Sequence, residues 1–277
     1  MREETAKVKK ADLVNRLKEF NSLLATFSGG VDSAFLLALA HRTLGDKVVA
    51  ATAESTIHPN REAEYARNFA SERGIHHIVF RSGEMSLPDF VSNGTNRCYH
   101  CKRYLFDRVL KIAKKNGIKH VVQGATLDDL GDYRPGFKAA NETGVAAPLI
   151  DAQLNKEEIR FLSREMGLST WNKPAMSCLA TRIPYGSAIT EEKLKMVEKA
   201  EEFLLERGIS IVRVRHHGSL ARIEMRPKEI RPVMEKMFRK AIVEEFRKIG
   251  FEHVALDMEG YISGKIDRRL GLKGTQK

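Results

Sequence analysis

Long apolar runs are missing from this chain, and their absence is the first constraint. The longest, around Phe35 to Ala40, is far short of a bilayer span, so no membrane partner is expected. The N-terminus is charged from Arg2 onward and has no apolar signal core, which makes the cytoplasm the expected location. Cysteine is scarce and odd in number, with three in 277 residues, which argues against a disulfide framework and leaves metal or thiol chemistry. Aromatics are only 7% and no run of five or six like charges occurs, despite a net charge of +11. Lysines and arginines are interleaved with glutamates, as in Glu191-Glu192-Lys193-Leu194-Lys195. A dense basic stripe is therefore absent and a nucleic-acid partner is disfavoured; the excess charge reads as a solvated surface biased toward anionic small molecules. A hydrophobic content of 42% and a charged content of 30% describe a soluble chain with room for one large domain and one small one.

The most informative segment is Ser28-Gly29-Gly30-Val31-Asp32-Ser33, between the apolar run Leu23–Phe27 and the helical pattern Ala34–Ala40. Two adjacent glycines permit a tight strand-to-helix turn. The helix N-terminus then offers free N–H groups and its dipole to phosphate oxygens. Ser28 and Ser33 add hydroxyl donors, and Asp32 can hold a magnesium ion beside the phosphates, which makes it a candidate catalytic residue. The lysine of a Walker-type loop is missing. Ser-Gly-Gly-x-Asp-Ser after a strand resembles the signature of the PP-loop ATP pyrophosphatases. That resemblance implies ATP as cofactor, a loop that grips pyrophosphate, and an α-phosphorus open to attack.

Downstream, strands are expected at 47–54, 76–80 and 119–123, with helices at 59–74 and 99–116 between them. This alternation predicts an α/β fold, a doubly wound parallel sheet of Rossmann-like type, with ligands at the carboxyl ends of the strands. Ser28 to Ser33, Ala53 and Gly124 would then border one crevice, with the backbone near Ala53 reading adenine. The glycine-rich loop Gly124–Gly136 carries Asp128, Asp129, Asp132 and Arg134. Asp128 can serve as a helix cap; Asp129, Asp132 and Arg134 are candidates for ordering magnesium, phosphates or substrate. From Ile189 the pattern changes to a capped helix to about Arg207, two strands, a helix at 227–248 and a strand at 252–257. The boundary is placed at 187, giving an ATP domain over 1–187 and a smaller α+β domain over 188–277 for substrate binding and oligomerisation.

Cys98 and Cys101 stand as Cys-x2-Cys at the front of a helical pattern, a spacing that suits zinc, a cluster or a redox pair. Cys178 lies in a loop rich in proline, glycine and serine. The segments Arg97–Lys102, Asp132–Gly136, Cys178–Gly186 and Val214–Gly218 resemble the LarE family, in the same order and over nearly the whole chain. The resemblance implies an ATP-dependent sulfur transferase that adenylates the carboxylates of pyridinium-3,5-biscarboxylic acid mononucleotide. It converts them to thiocarboxylates for the nickel-pincer cofactor of lactate racemase. Family members with only the counterpart of Cys178 give up its sulfur; those with all three cysteines bind a [4Fe-4S] cluster that carries sulfide. Cys98, Cys101 and Cys178 are all present here, so the cluster is expected, with sacrificial Cys178 and a zinc site as the other readings. Three thiolates leave one iron open. Arg182 is the candidate for stabilising charge as AMP departs. The implied partners are a small-molecule nucleotide, sulfide or another sulfur donor, and further copies of the chain in a hexamer. A tRNA thiolase with the same loop and cluster is the alternative acceptor reading.

The segment Ile211–Met225 reads as a β-hairpin turning at Gly218-Ser219, which sets His217 opposite Leu220, Arg215 opposite Arg222 and Arg213 opposite Glu224. Arg215 facing Arg222 should repel unless an anion lies between them. Arg213, Arg215 and Arg222 are therefore the candidate substrate or anion site of the second domain. Glu201 falls on the apolar stripe of its helix, where a carboxylate is unwelcome without a partner; with Glu224 it could bind a cation or form a subunit contact, or it reaches water from the stripe's edge.

Overall fold

The computed structural model describes residues 2–130 and 135–270. By contact density the chain divides into two compact units, Met1–Leu87 with Asn96–Met176, and Pro88–Thr95 with Ser177–Lys277. The division precedes the expected boundary at 187 and gives Pro88–Thr95 to the second unit. Side-chain bonding accounts for this: Asn93, fully buried, donates to the carbonyls of Ile183, Pro184 and Ser187 at 3.3, 2.8 and 2.7 Å.

The first unit runs α1 (Arg2–Glu19), β1 (Leu23–Thr26), α2 (Val31–Leu44), β2 (Val48–Glu54), α3 (Asn60–Ser71) and β3 (His76–Arg81). After the short helix α4 (Pro88–Val91), which belongs to the second unit, come α5 (Arg97–Lys115), β4 (His120–Val122), α6 (Pro135–Thr143), α7 (Pro148–Asp151) and α8 (Lys156–Glu165). The four strands are parallel in the order β3-β2-β1-β4. Alternation along the strands explains why both faces are covered. Leu23, Ala25, Val48 and Ala50 point into a core shared with α1, α2, α3 and α8, whereas Leu24, Val49 and Ala51 meet Phe106, Val109 and Ala113 of α5. The strand order reverses between β1 and β4, which opens a crevice at their carboxyl ends. Helices α6, α7 and α8 are additions to the elements expected from the strand–helix alternation. Of these, α8 carries a local signal, a capping box in which Asn155 and Glu158 bond each other's backbone.

The second unit holds α9 (Glu191–Glu206), β5 (Val212–His217), β6 (Leu220–Met225), α10 (Pro227–Val233), α11 (Lys236–Ile249) and β7 (His253–Leu256), with sheet order β5-β6-β7. Thr190 caps α9 by accepting from the Lys193 amide, and Gly208 ends it at φ +89°. The hairpin register is as read from the sequence, including Arg215 opposite Arg222 and Arg213 opposite Glu224. The single helix expected at 227–248 is two: α10 runs through Pro232 to its C-cap at Met234, and Glu235, with an extended backbone at ψ +138°, starts α11 as its N-cap.

Candidate active site

The loop Ser28–Ser33 joins β1 to α2 at the switch point of the sheet. Its hydroxyls close it on themselves: the Ser28 and Ser33 Oγ atoms are 3.0 Å apart, and Ser33 donates to the Gly30 carbonyl at 3.2 Å. Gly29 takes φ +73°, and a Cβ there would come within 3.3 Å of the Glu62 carbonyl. Gly30 is the N-cap residue of α2 and no side chain caps that helix, so its first amides can serve an anion. At the end of β4, Gly124 lies so close to α2 that a Cβ would meet the Ser33 N and Cα at 2.9 Å. Ala53, near the carboxyl end of β2, is half-buried, and its neighbour Thr52 donates to the Phe27 carbonyl at 2.7 Å. The parallel strands place Ser28, Gly29, Gly30, Asp32, Ser33, Ala53 and Gly124 at or just beyond the carboxyl ends of β1, β2 and β4.

Asp129 joins them through α8. Its carboxylate accepts from the Thr126 N and Oγ1 at 2.9 and 3.1 Å and from Lys156 Nζ at 2.8 Å. Asp128 accepts from the Lys156 amide at 2.7 Å and so takes the helix-start role open to it. Burial pushes the Asp32 carboxyl up to about 6, against the pull of Lys156 and with the repulsion of Asp129. A cation beside Asp32 would relieve that cost, so the residues present suit magnesium. Arg134 and Asp132 lie outside the described residues.

Lys156 and Lys173 touch the candidate residues Asp129 and Gly29, at 2.8 and 3.0 Å, and motif and spacing do not pick them out. Lys156 stands at a helix start, where a capping box is the only local signal. Lys173 reaches the glycine turn from 144 residues away in sequence, a tertiary contact that spacing does not reveal.

Cys98 and Cys101 occupy the first turns of α5, three residues apart and so on one face. All three cysteines are reduced thiols and half-buried. Among the described residues no group of three or more His, Cys, Asp or Glu side chains is gathered to hold a metal ion, and Cys178 belongs to the second unit.

In that unit Cys178 opens a 3-10 turn over Leu179–Arg182. Arg182 is 0% exposed, which corrects its expected role: a guanidinium sealed from solvent does not meet departing AMP. It anchors the loop. Its Nη1 donates to the carbonyls of Ser177 and Cys178 at 2.8 and 3.1 Å, and Nε and Nη2 grip both oxygens of Glu201 at 2.8 Å. Glu201 is thus neither a cation ligand with Glu224 nor a carboxylate at the water's edge: it is buried at 2% exposure and paired with Arg182. Burial pushes its carboxyl up, but Arg182, Arg213 and the Val214 amide outweigh that and hold it below the usual range.

The expected anion between Arg215 and Arg222 is corrected likewise. Glu224 lies between them, accepting from Arg215 Nη2 at 2.6 Å and pairing with Arg222 at 3.1 Å. Arg222 also pairs with Asp257, and Arg215 donates to the Thr181 carbonyl at 2.8 Å. The repulsion that demanded an external anion is relieved inside the chain. The polar face of the hairpin is not a solvent face: Arg213, Arg215 and Glu224 are buried at 3%, 7% and 0% exposure. Burial, with Arg182 nearby, pushes the Arg213 guanidinium down to about 10 despite Glu201 and Tyr261.

A glycine turn and an uncapped helix N-terminus at the switch point of a parallel sheet suit a phosphate ligand, and the comparisons with known proteins make this an ATP-using PP-loop domain. Residues 11–166 match the asparagine synthase family model. An uncharacterized protein of Synechocystis sp. is 42% identical over 91% of this chain and 94% of its own. The pyridinium-3,5-bisthiocarboxylic acid mononucleotide synthase of Lactiplantibacillus plantarum is 34% identical over 96% of both chains. The glutamine-hydrolyzing GMP synthase of Aeropyrum pernix is 26% identical over 66% of this chain and 39% of its own. The chain belongs to the LarE family. Among the described residues no helix is long and apolar enough to cross a membrane.

Proposed function

We propose that this protein is an ATP-dependent sulfur transferase that converts the carboxylates of pyridinium-3,5-biscarboxylic acid mononucleotide to thiocarboxylates. The observation that carries this reading is the similarity, over 96% of both chains, to a synthase named for the bisthiocarboxylic product. The loop at Ser28–Ser33 supplies the ATP chemistry such a product requires. A substrate carboxylate oxygen bonds to the α-phosphorus, the bond to the bridging oxygen breaks, and pyrophosphate leaves with the electron pair. The amides at the start of α2 and the Ser28 and Ser33 hydroxyls hold phosphate oxygens, and Asp32 and Asp129 would order magnesium. A hydrosulfide-level sulfur then attacks the acyl carbon, AMP leaves with its electron pair, and a thiocarboxylate remains.

For the sulfur, the donor chemistry of three reduced, half-buried thiols suits iron and sulfide. Cys98, Cys101 and Cys178 are the proposed ligands of a [4Fe-4S] cluster, which would supply an open iron able to carry sulfide, although among the described residues they form no gathered metal site. Arg182 fixes the backbone on which Cys178 sits. Arg213 and Arg215 keep the positive charge of the second unit beside that turn, and the chain assembles as a cytoplasmic homohexamer.

The test is anaerobic turnover of iron- and sulfide-reconstituted protein with ATP, magnesium, sulfide and the biscarboxylic mononucleotide, set against bulk tRNA. Mass spectrometry should find sulfur in the mononucleotide, with AMP and pyrophosphate formed and Cys178 intact. Sulfur in tRNA would refute the acceptor. Loss of the Cys178 sulfur in each turnover, with no iron bound, would refute the cluster.

A further inference from the structure

A triphosphate bound in Ser28–Ser33 meets hydroxyls and amides, but the loop itself carries no cation. The structure brings one to it. Lys173 lies in the segment between α8 and Met176, and its Nζ donates to the Gly29 carbonyl at 3.0 Å and to Glu62 Oε2 at 2.7 Å. The same ammonium lies 3.8 Å from the centroid of the Tyr65 ring. Its stem is fixed from behind. Arg160 of α8 donates to the Trp171 and Lys173 carbonyls, both at 2.8 Å, and the Lys173 amide bonds the Thr170 carbonyl at 2.9 Å. The side chain is 17% exposed, so this is an ammonium enclosed against the glycine turn rather than a solvated surface lysine.

We propose that Lys173 is the cation that binds the pyrophosphate end of ATP and stabilises it as it leaves. The inference rests on the ATP reading of the loop and deepens it. Glu62 and Tyr65 hold the amine in place, and the Gly29 carbonyl is the contact that a phosphate oxygen replaces. That exchange trades a neutral acceptor for an ionised one, which makes the hydrogen bond stronger. When the bond from the α-phosphorus to the bridging oxygen breaks, the leaving pyrophosphate gains negative charge. An ammonium already in position then lowers the barrier without reorganising. A lysine from another part of the fold thus supplies what a Walker-type loop carries in its own sequence.

The experiment is calorimetric titration of the full chain with magnesium-ATP, magnesium-pyrophosphate and AMP, for the native protein, Lys173→Met, Lys173→Arg and Glu62→Gln. Lys173→Met should weaken ATP and pyrophosphate about ten- to a hundredfold, the loss of a hydrogen bond to a charged group, and leave AMP unchanged. Lys173→Arg should restore part of the pyrophosphate affinity. Glu62→Gln keeps an acceptor that holds the amine but removes its counter-charge, and should keep or tighten pyrophosphate binding. Equal weakening of all three ligands with a lowered melting temperature would mean that Lys173 only braces the turn. Weakened pyrophosphate binding in Glu62→Gln would overturn the proposal even if Lys173→Met failed to fold. A native protein that binds no ATP would overturn the loop reading beneath it, whereas native ATP binding with an unaffected Lys173→Met overturns this inference alone.

Discussion

Asp32→Asn should make the ligand-free protein more stable while removing its use of magnesium-ATP. Burial raises the Asp32 carboxyl from an ordinary 3.8 to about 6. A carboxyl that titrates higher in the folded than in the unfolded state binds its proton more tightly when folded. Its ionisation therefore costs stability above pH 6, and that cost disappears as pH falls from 6 toward 4. A shift of about two units corresponds to about 3 kcal/mol at neutral pH. An amide in its place carries its own desolvation cost, which leaves a net gain of ~1–3 kcal/mol. For a protein of this size that is a rise of about 2–10 °C in melting temperature. Thermal melts at pH 5 and pH 8, without nucleotide or magnesium, check this: the native protein should gain on acidification at this site, and Asp32→Asn should flatten that gain. Pyrophosphate release should meanwhile fall to background. A variant less stable than the native chain at pH 8 would refute the reasoning, because the carboxylate would then be a net stabiliser.

Two other perturbations follow from the packing. Gly124→Ala drives a Cβ to 2.9 Å from the Ser33 backbone, so it should cost about 1–3 kcal/mol by overpacking and weaken ATP binding; unchanged titrations would show that the β4 end yields. Glu201→Ala strands the buried Arg182 guanidinium and should cost about 3–5 kcal/mol, whereas Arg182→Met with Glu201→Leu should recover most of it. Because Glu201 titrates below its ordinary range, the pair's contribution is present at neutral pH and is lost as pH falls through that lowered value. Melts of the single and double variants test the pairing, and an additive double variant would deny it.

Much of the ATP site is legible in the amino-acid order itself. A strand, two glycines and a helix start dictate a turn with open amides, and short apolar strands alternating with helices dictate a covered parallel sheet. Ser28, Asp32 and Ser33 are close in sequence, and Ala53 and Gly124 follow from the rule that parallel strands share a carboxyl end. Lys156 and Lys173 are not legible, because each reaches its partners from a distant stretch of chain. The hairpin teaches the same lesson from the other side. A two-residue turn and an apolar stripe fix its register, yet register alone does not say that the opposite face is buried. Arg215 facing Arg222 demands a neutralising anion, and only folding supplies it from within, as Glu224 between them.

Local chain order, then, determined the elements, their caps, the glycine turn and the spacing of Cys98 and Cys101, because short-range sterics and hydrogen bonding act within a few residues. Tertiary structure alone decided which charges meet. Arg182 became an anchor for the Cys178 turn, and Lys173 the ammonium beside Gly29, because the free energy of a buried charge depends on the partners that folding assembles around it.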